Sequence, residues 1–160
     1  MKIAYMILFM LFCWSFVVTA EPYGTGTQIP TLNLSDQYDQ KLTLDTMTRL
    51  IVFTNNKAGS DIVSDALNGV DKDYLITHKT IYIADISGMP GLVRKLFAFP
   101  KMKKQPYSIY LDDGPSFTKD FPSEENKVTL LYLNDLKIQS IEFISLPDTV
   151  KTAIEKGKDN

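Results

Sequence analysis

The chain has 160 residues, enough for one ordinary domain and too few for two. Its 17 basic residues against 19 acidic ones leave a formal charge of −2, which argues against a protein that holds nucleic acid by bulk positive charge. Hydrophobic residues make up 44% and charged residues 22%, a globular composition, and one cysteine with one histidine cannot build a thiolate zinc site or a disulfide framework.

The first twenty residues read as a secretory signal peptide. Lys2 is followed by the apolar run IAYMILFMLFCWSFVV (3–18) and then by Val18-Thr19-Ala20, a small-residue cleavage pattern. The run is short for a membrane span, which needs about 20 residues; an uncleaved anchor is the alternative. Cys13 lies inside the run and lacks the small preceding residues of a lipidation site. Removal of 1–20 takes Lys2, Cys13 and Trp14 with it, moves the net charge from −2 to −3 and leaves no cysteine. A cysteine-free exported chain suits a bacterial periplasm. Contact with a membrane is expected only through this segment, if it is kept.

Residues 21–30 are a Gly/Pro/Thr-rich lead-in, and the domain is expected over 31–156, with a polar tail at 157–160. TLNL (31–34) and KLTL (41–44) flank SDQYDQ and read as a β-hairpin. RLIVFT (49–54) and TIYIAD (80–85) are continuous apolar runs rich in β-branched residues, the pattern of strands buried on both faces. Between them, Ser60 or Asp61 can cap a helix with Ile62, Val63, Ala66 and Leu67 on one face and Gly69 at its end. In a second helix Met89, Leu92, Val93, Leu96 and Phe97 recur at helical spacing; Pro90 suits its first turn, and Pro100 is expected to end it. YSIYL (107–111) is a third strand. A polar connection leads to VTLLYL (128–133) and IQSIEFI (138–144), a closing hairpin around NDLK. Ser145 and Asp148 form a capping-box pair before a last helix with Val150, Ala153 and Ile154 inward. Strands alternating with helices, then a terminal hairpin and helix, argue an α/β layered fold with a mixed sheet.

IPTLNLSDQYDQKLTL followed by RLIVFT resembles the opening of AhpC/TSA and TlpA-type thioredoxin-like proteins, in which a Pro and a hairpin precede a buried strand. PYSIYLDDGPSFTKDFPSEENKVTLLYLNDLKIQSIEFISLPDTVKTAI resembles the second half of that superfamily. ADISGMPGLVRKLF together with PYSIYLDD is most similar to small periplasmic proteins of the YtfJ type. The resemblance covers about residues 29–155 and implies a thioredoxin-like three-layer fold: a mixed central sheet flanked by helices, with an N-terminal β-hairpin extension.

The departures from that pattern bear on function. Thioredoxin-like oxidoreductases carry C-x-x-C at the start of the first helix, where its dipole and free amides stabilise a thiolate. The matching stretch is Ala58-Gly59-Ser60-Asp61, with no cysteine. The peroxiredoxin P-x-x-x-T-x-x-C loop is absent. Lys127 stands before the later central strand, where the family has Arg or a cis-proline, and Leu136 replaces the turn glycine of the last hairpin. Disulfide exchange and cysteine-based peroxide reduction both need a thiolate. The resemblance therefore implies a redox-inactive member that binds a protein or small-molecule partner. In open α/β sheets ligands sit beyond the carboxyl ends of parallel strands, which nominates Asn55, Asn56, Lys57 and Lys127 with the amides near Gly59 and Ser60. A loop that only caps a helix is the competing reading. A second hypothesis is a non-thiol enzyme using Lys57, Asp61, Asp85 or Lys127.

Other chemistry finds little support. His78 reads as a loop histidine. Asp112, Asp113, Asp120, Glu124 and Glu125 form an acidic stretch without EF-hand spacing. Gly24-Thr25-Gly26 lacks the strand-turn-helix context of a nucleotide loop. No metal, cofactor or nucleic acid is expected. Arg94, Lys95, Lys101, Lys103 and Lys104 make either a solvated helix end or a basic edge for an acidic partner.

Overall fold

A computed structural model describes residues 21–114 and 117–157. The signal-peptide reading of residues 1–20 and the last part of the tail lie outside the described residues.

In chain order the elements are β1 (Ser35–Asp36), β2 (Leu50–Thr54), α1 (Lys57–Ala66), α2 (Tyr74–Thr77), β3 (Thr80–Asp85) and α3 (Gly91–Val93). A π-helical turn (Arg94–Ala98) joins α3 to α4 (Phe99–Met102); β4 (Tyr110–Asp112), β5 (Val128–Asn134), β6 (Lys137–Ile144) and α5 (Pro147–Lys156) follow. The six strands form one sheet in the order β1-β4-β3-β2-β5-β6. β2, β3 and β4 run parallel, while β1, β5 and β6 join antiparallel, so the sheet is mixed.

β2 shows why a continuous apolar run was needed. Its residues alternate between the two faces, and both faces are covered. Leu50 and Val52 pack in one cluster with Val63 and Ala66 of α1, Leu67 just past its end, and Val150, Ala153 and Ile154 of α5. Ile51 and Phe53 meet Ile29, Leu32, Leu34 and Phe121. The layer on that second face is extended chain from the N-terminal region rather than helix. Burial of side chains the size of Leu, Ile or Phe is worth about 1.5–3 kcal/mol each, so this strand anchors both halves of the core.

Local signals at the ends of elements differ from the sequence reading. The N-cap of α1 is Asn56, whose side chain accepts from Gly59 N–H at 2.8 Å, rather than Ser60 or Asp61. α5 starts after Leu146 with no side-chain cap, so Ser145 and Asp148 form no capping box; Pro147 at its first turn removes one N–H that a cap would have had to satisfy. The 31–44 hairpin is reduced to the two-residue β1 and a Ser35–Lys41 bridge. The alternation read in TLNL is kept: Leu32 and Leu34 are buried, and Thr31 and Asn33 are exposed.

The second helix departs most. Pro100 does not end it. Pro100 has no N–H to give Leu96 and its ring would crowd that carbonyl in an α-helix. The chain widens into a π turn, Phe99 N–H bonds Arg94 O, and Pro100 opens the next turn. The expected apolar face is not buried either. Leu92, Val93, Leu96 and Phe97 are exposed, and Phe99 and Met102 make the contacts with the core.

Candidate functional site

The carboxyl ends of β2 and β3, the start of α1 and the loop before β5 come together at one end of the sheet. β2 ends in Thr54 and the chain turns through Asn55 and Asn56 into α1. Gly59 is buried against the loop before β5, close to the backbone carbonyl of Lys127. Asn55 Nδ2 donates to Ser123 Oγ at 2.9 Å, tying the same two segments together from the other side. Asn55, Asn56, Ala58–Asp61 and Lys127 thus share one corner.

The lysines nominated there carry compensated charges. Lys57 pairs with Asp61 one turn along α1, and Lys101 of α4 donates to the other Asp61 oxygen at 3.1 Å. Lys127 pairs with Glu124. These hydrogen bonds, Lys57 first and Lys101 second, hold the Asp61 carboxyl below the usual carboxylate range. Asp61 therefore stays ionised near neutrality and is poorly matched to general-base work, which favours a pKa near the operating pH. Asp85 ends β3 and accepts from Ser87 N–H at 2.8 Å in a local turn.

Beneath this surface runs a hydroxyl chain that the sequence reading missed. Thr54 Oγ1 lies 3.2 Å from both Ser60 Oγ and the Tyr82 hydroxyl. Ser60 Oγ donates in turn to Asn56 O at 3.1 Å. Tyr82 is buried, and burial pushes its phenol above its ordinary value although Thr54 and Ser60 oppose the shift. Tyr82, Ser60, Ser64, Lys101, Met102 and Tyr107 line a cavity of about 60 Å³ below the start of α1. The available signal was the inward parity of Tyr82 beside Ala84 on β3, a polar-tipped ring at a core position.

Two of the remaining candidates, His78 and Asp112, have structural partners. His78 closes α2, with Nδ1 2.7 Å from Tyr74 O. Buried Asp112 accepts from both the backbone N–H and the hydroxyl of Thr118 at 2.8 Å. Among the described residues no group of three His, Cys, Asp or Glu side chains could hold a metal ion.

A mixed sheet, helix α1 starting at the end of its central strand, and an antiparallel strand whose entry loop abuts that helix start define a thioredoxin-like α/β fold. Solved structures of that kind are similar to this chain. A candidate protein disulfide isomerase from Bacteroides thetaiotaomicron superposes with a TM-score of 0.53 at 14% identity, covering 86% of this chain and 91% of that one. An uncharacterised conserved protein from Geobacillus kaustophilus gives 0.55 at 14% identity, covering 85% and 82%. A thiol peroxidase from Chromobacterium violaceum gives 0.50 at 12% identity, covering 87% and 90%. At these identities the likeness concerns the fold alone. No family model matches the sequence, and no curated protein matches it.

Proposed function

We propose that this chain is an exported, periplasmic thioredoxin-like protein of the small YtfJ type that works by binding a protein or small ligand and not by thiol chemistry. One observation carries the reading. The segment where the resemblance puts C-x-x-C is Ala58-Gly59-Ser60-Asp61, and its polar groups are engaged: Gly59 N–H donates to Asn56, Ser60 Oγ to Asn56 O, and Lys57 and Lys101 hold Asp61. No side chain there can act as a thiolate nucleophile. The surface left for recognition is the polar corner of Asn55, Asn56, Lys57 and Lys127.

The ion pairs weigh against a non-thiol enzyme built on Lys57, Asp61 and Lys127. A nucleophilic or proton-shuttling lysine is activated by desolvation or a neighbouring cation, whereas the Lys57 side chain is 86% exposed and paired with a carboxylate.

The test is photo-crosslinking from the corner. A crosslinking residue at position 57 is expected to give a discrete adduct in cells, and one at position 151, on α5, none. Equal adduct patterns from both positions would overturn the assignment of the corner.

A further inference from the structure

We propose that the helical segment 91–102 is a docking face for an anionic lipid surface. Four of the exposed large apolar side chains, Leu92, Val93, Leu96 and Phe97, lie within it, at 71%, 40%, 57% and 68% exposure. Scattered exposed leucines need no explanation, but four on two successive turns form a patch. The segment is not loosely attached. Its opposite side is fastened by Phe99 and Met102 against the core, by Arg94 donating to Asp113 O, and by Lys101 bound to Asp61. The fold therefore holds the apolar side outward.

Charge identifies the occupant. From residue 86 to residue 111 there is no acidic side chain, while Arg94, Lys95, Lys101, Lys103 and Lys104 are basic, in a chain that is acidic overall. Lys95, Lys103 and Lys104 form no salt bridge among the described residues. Asp36 and Asp39 share a cleft with Lys95 and Lys103, and Asp36 is buried and occupied by the N–H groups of Tyr38 and Gln40 and by Ser108. Half-exposed Tyr38 bonds through its hydroxyl to the carbonyls of Lys103 and Gln105, adding an amphipathic ring at the basic end. Apolar residues on one side and lysines beside them are the composition of a helix lying in a membrane interface. The clefts bordering the segment are lined by Phe99, Lys95 and Lys103 and not by the four apolar residues, which project as a ridge. Acyl chains accept a ridge without a matching groove. A second copy would bring two lysine clusters together, which opposes self-association. Among the described residues no helix is long and apolar enough to cross a membrane, so the contact is interfacial.

The test is hydrogen exchange on the full chain with vesicles of phosphatidylcholine alone and of phosphatidylcholine with phosphatidylglycerol. Residues 3–18 can hold the chain on either vesicle, so the readout is local protection at 91–104 and not vesicle association. Protection is expected with the anionic vesicles, falling with added salt. Leu96→Ser/Phe97→Ser is expected to abolish it while exchange in β2 and β3 stays unchanged, since both side chains are exposed. Lys103→Gln/Lys104→Gln is expected to lower the docking equilibrium about 25-fold, about fivefold per lysine near an anionic surface. The proposal is overturned by any of three results: no protection with anionic vesicles; protection that survives Leu96→Ser/Phe97→Ser; or protection that needs only high concentration of the chain, or polyglutamate, and no lipid.

Discussion

A methyl group added at Gly59 would stand 2.7 Å from the carbonyl oxygen of Lys127. Gly59 is the second residue of Ala58–Asp61, the stretch that the sequence resemblance aligns with C-x-x-C, and Lys127 is the residue before the antiparallel strand β5. The contact presses α1 onto the β5 loop and fixes the geometry of the polar corner.

Gly59→Ala is therefore expected to destabilise the fold by about 1–3 kcal/mol, the range for overpacking a tight site, because a backbone carbonyl cannot swing aside as a flexible side chain can. Gly24→Ala is the control: nothing lies within 4 Å of its added methyl. Urea midpoints of the two variants check the difference. Equal midpoints would mean that the α1–β5 contact is not tight.

The hydroxyl chain predicts an asymmetry. Tyr82→Phe removes one partner from Thr54 Oγ1, which keeps Ser60, at a cost of about 1 kcal/mol. Thr54→Val removes the hydroxyl that lies 3.2 Å from both the buried Tyr82 hydroxyl and Ser60 Oγ and is expected to cost more, about 1–3 kcal/mol. A double-mutant cycle on chemical stability reads the coupling, and additive effects would contradict it.

Asp61 carries a pH signature. Its folded-state carboxyl is held below its ordinary value of 3.8, so its ion pairs stabilise the fold above about pH 4 and lose that contribution as pH falls through the folded value. The side chain is 40% exposed, and solvent screening keeps the effect below about 1 kcal/mol. Comparison of wild type with Asp61→Asn from pH 7 to pH 2 should show a small stability gap at neutral pH that closes in acid and shrinks in salt. A gap that widens in acid would reverse the sign of the account.

The tyrosines set the alkaline limit. Burial first and a neighbouring glutamate second push Tyr74 and Tyr132 up to about 12, and burial also raises Tyr82. The unfolded chain ionises its tyrosines near pH 10, so it binds fewer protons than the folded chain above that pH and stability falls between about pH 10 and pH 12. Absorbance titration should show part of the tyrosine ionisation, that of Tyr74, Tyr82 and Tyr132, late and coincident with unfolding. An ordinary reversible titration of all tyrosines near pH 10 would contradict the burial.

The strands were legible because β2, β3, β5 and β6 carry runs whose length and branching admit few alternatives. Val63, Ala66 and Leu67 in and just after α1, and Val150, Ala153 and Ile154 in α5, were legible from helical spacing. Caps were not. Asn56, Ser60 and Asp61 all suit an N-cap chemically, and only the packing of Gly59 against Lys127 selects where α1 begins. The face of Leu92, Val93, Leu96 and Phe97 was visible as a stripe, but periodicity reports that a helix has two sides and not which one meets the core. The π turn at Arg94–Ala98 and the Phe99 contact decide that, and neither leaves a periodic trace. At the corner, the loop 55–61 and Lys127 were found through the resemblance. Thr54 and Tyr82 were hidden in strand runs read only as apolar core.

The most direct test of binding without thiol chemistry is the rate at which the purified full chain accelerates reduction of insulin disulfides by dithiothreitol. The account predicts the uncatalysed rate, unchanged by Cys13→Ser. Catalysis above background that disappears in Cys13→Ser would contradict it.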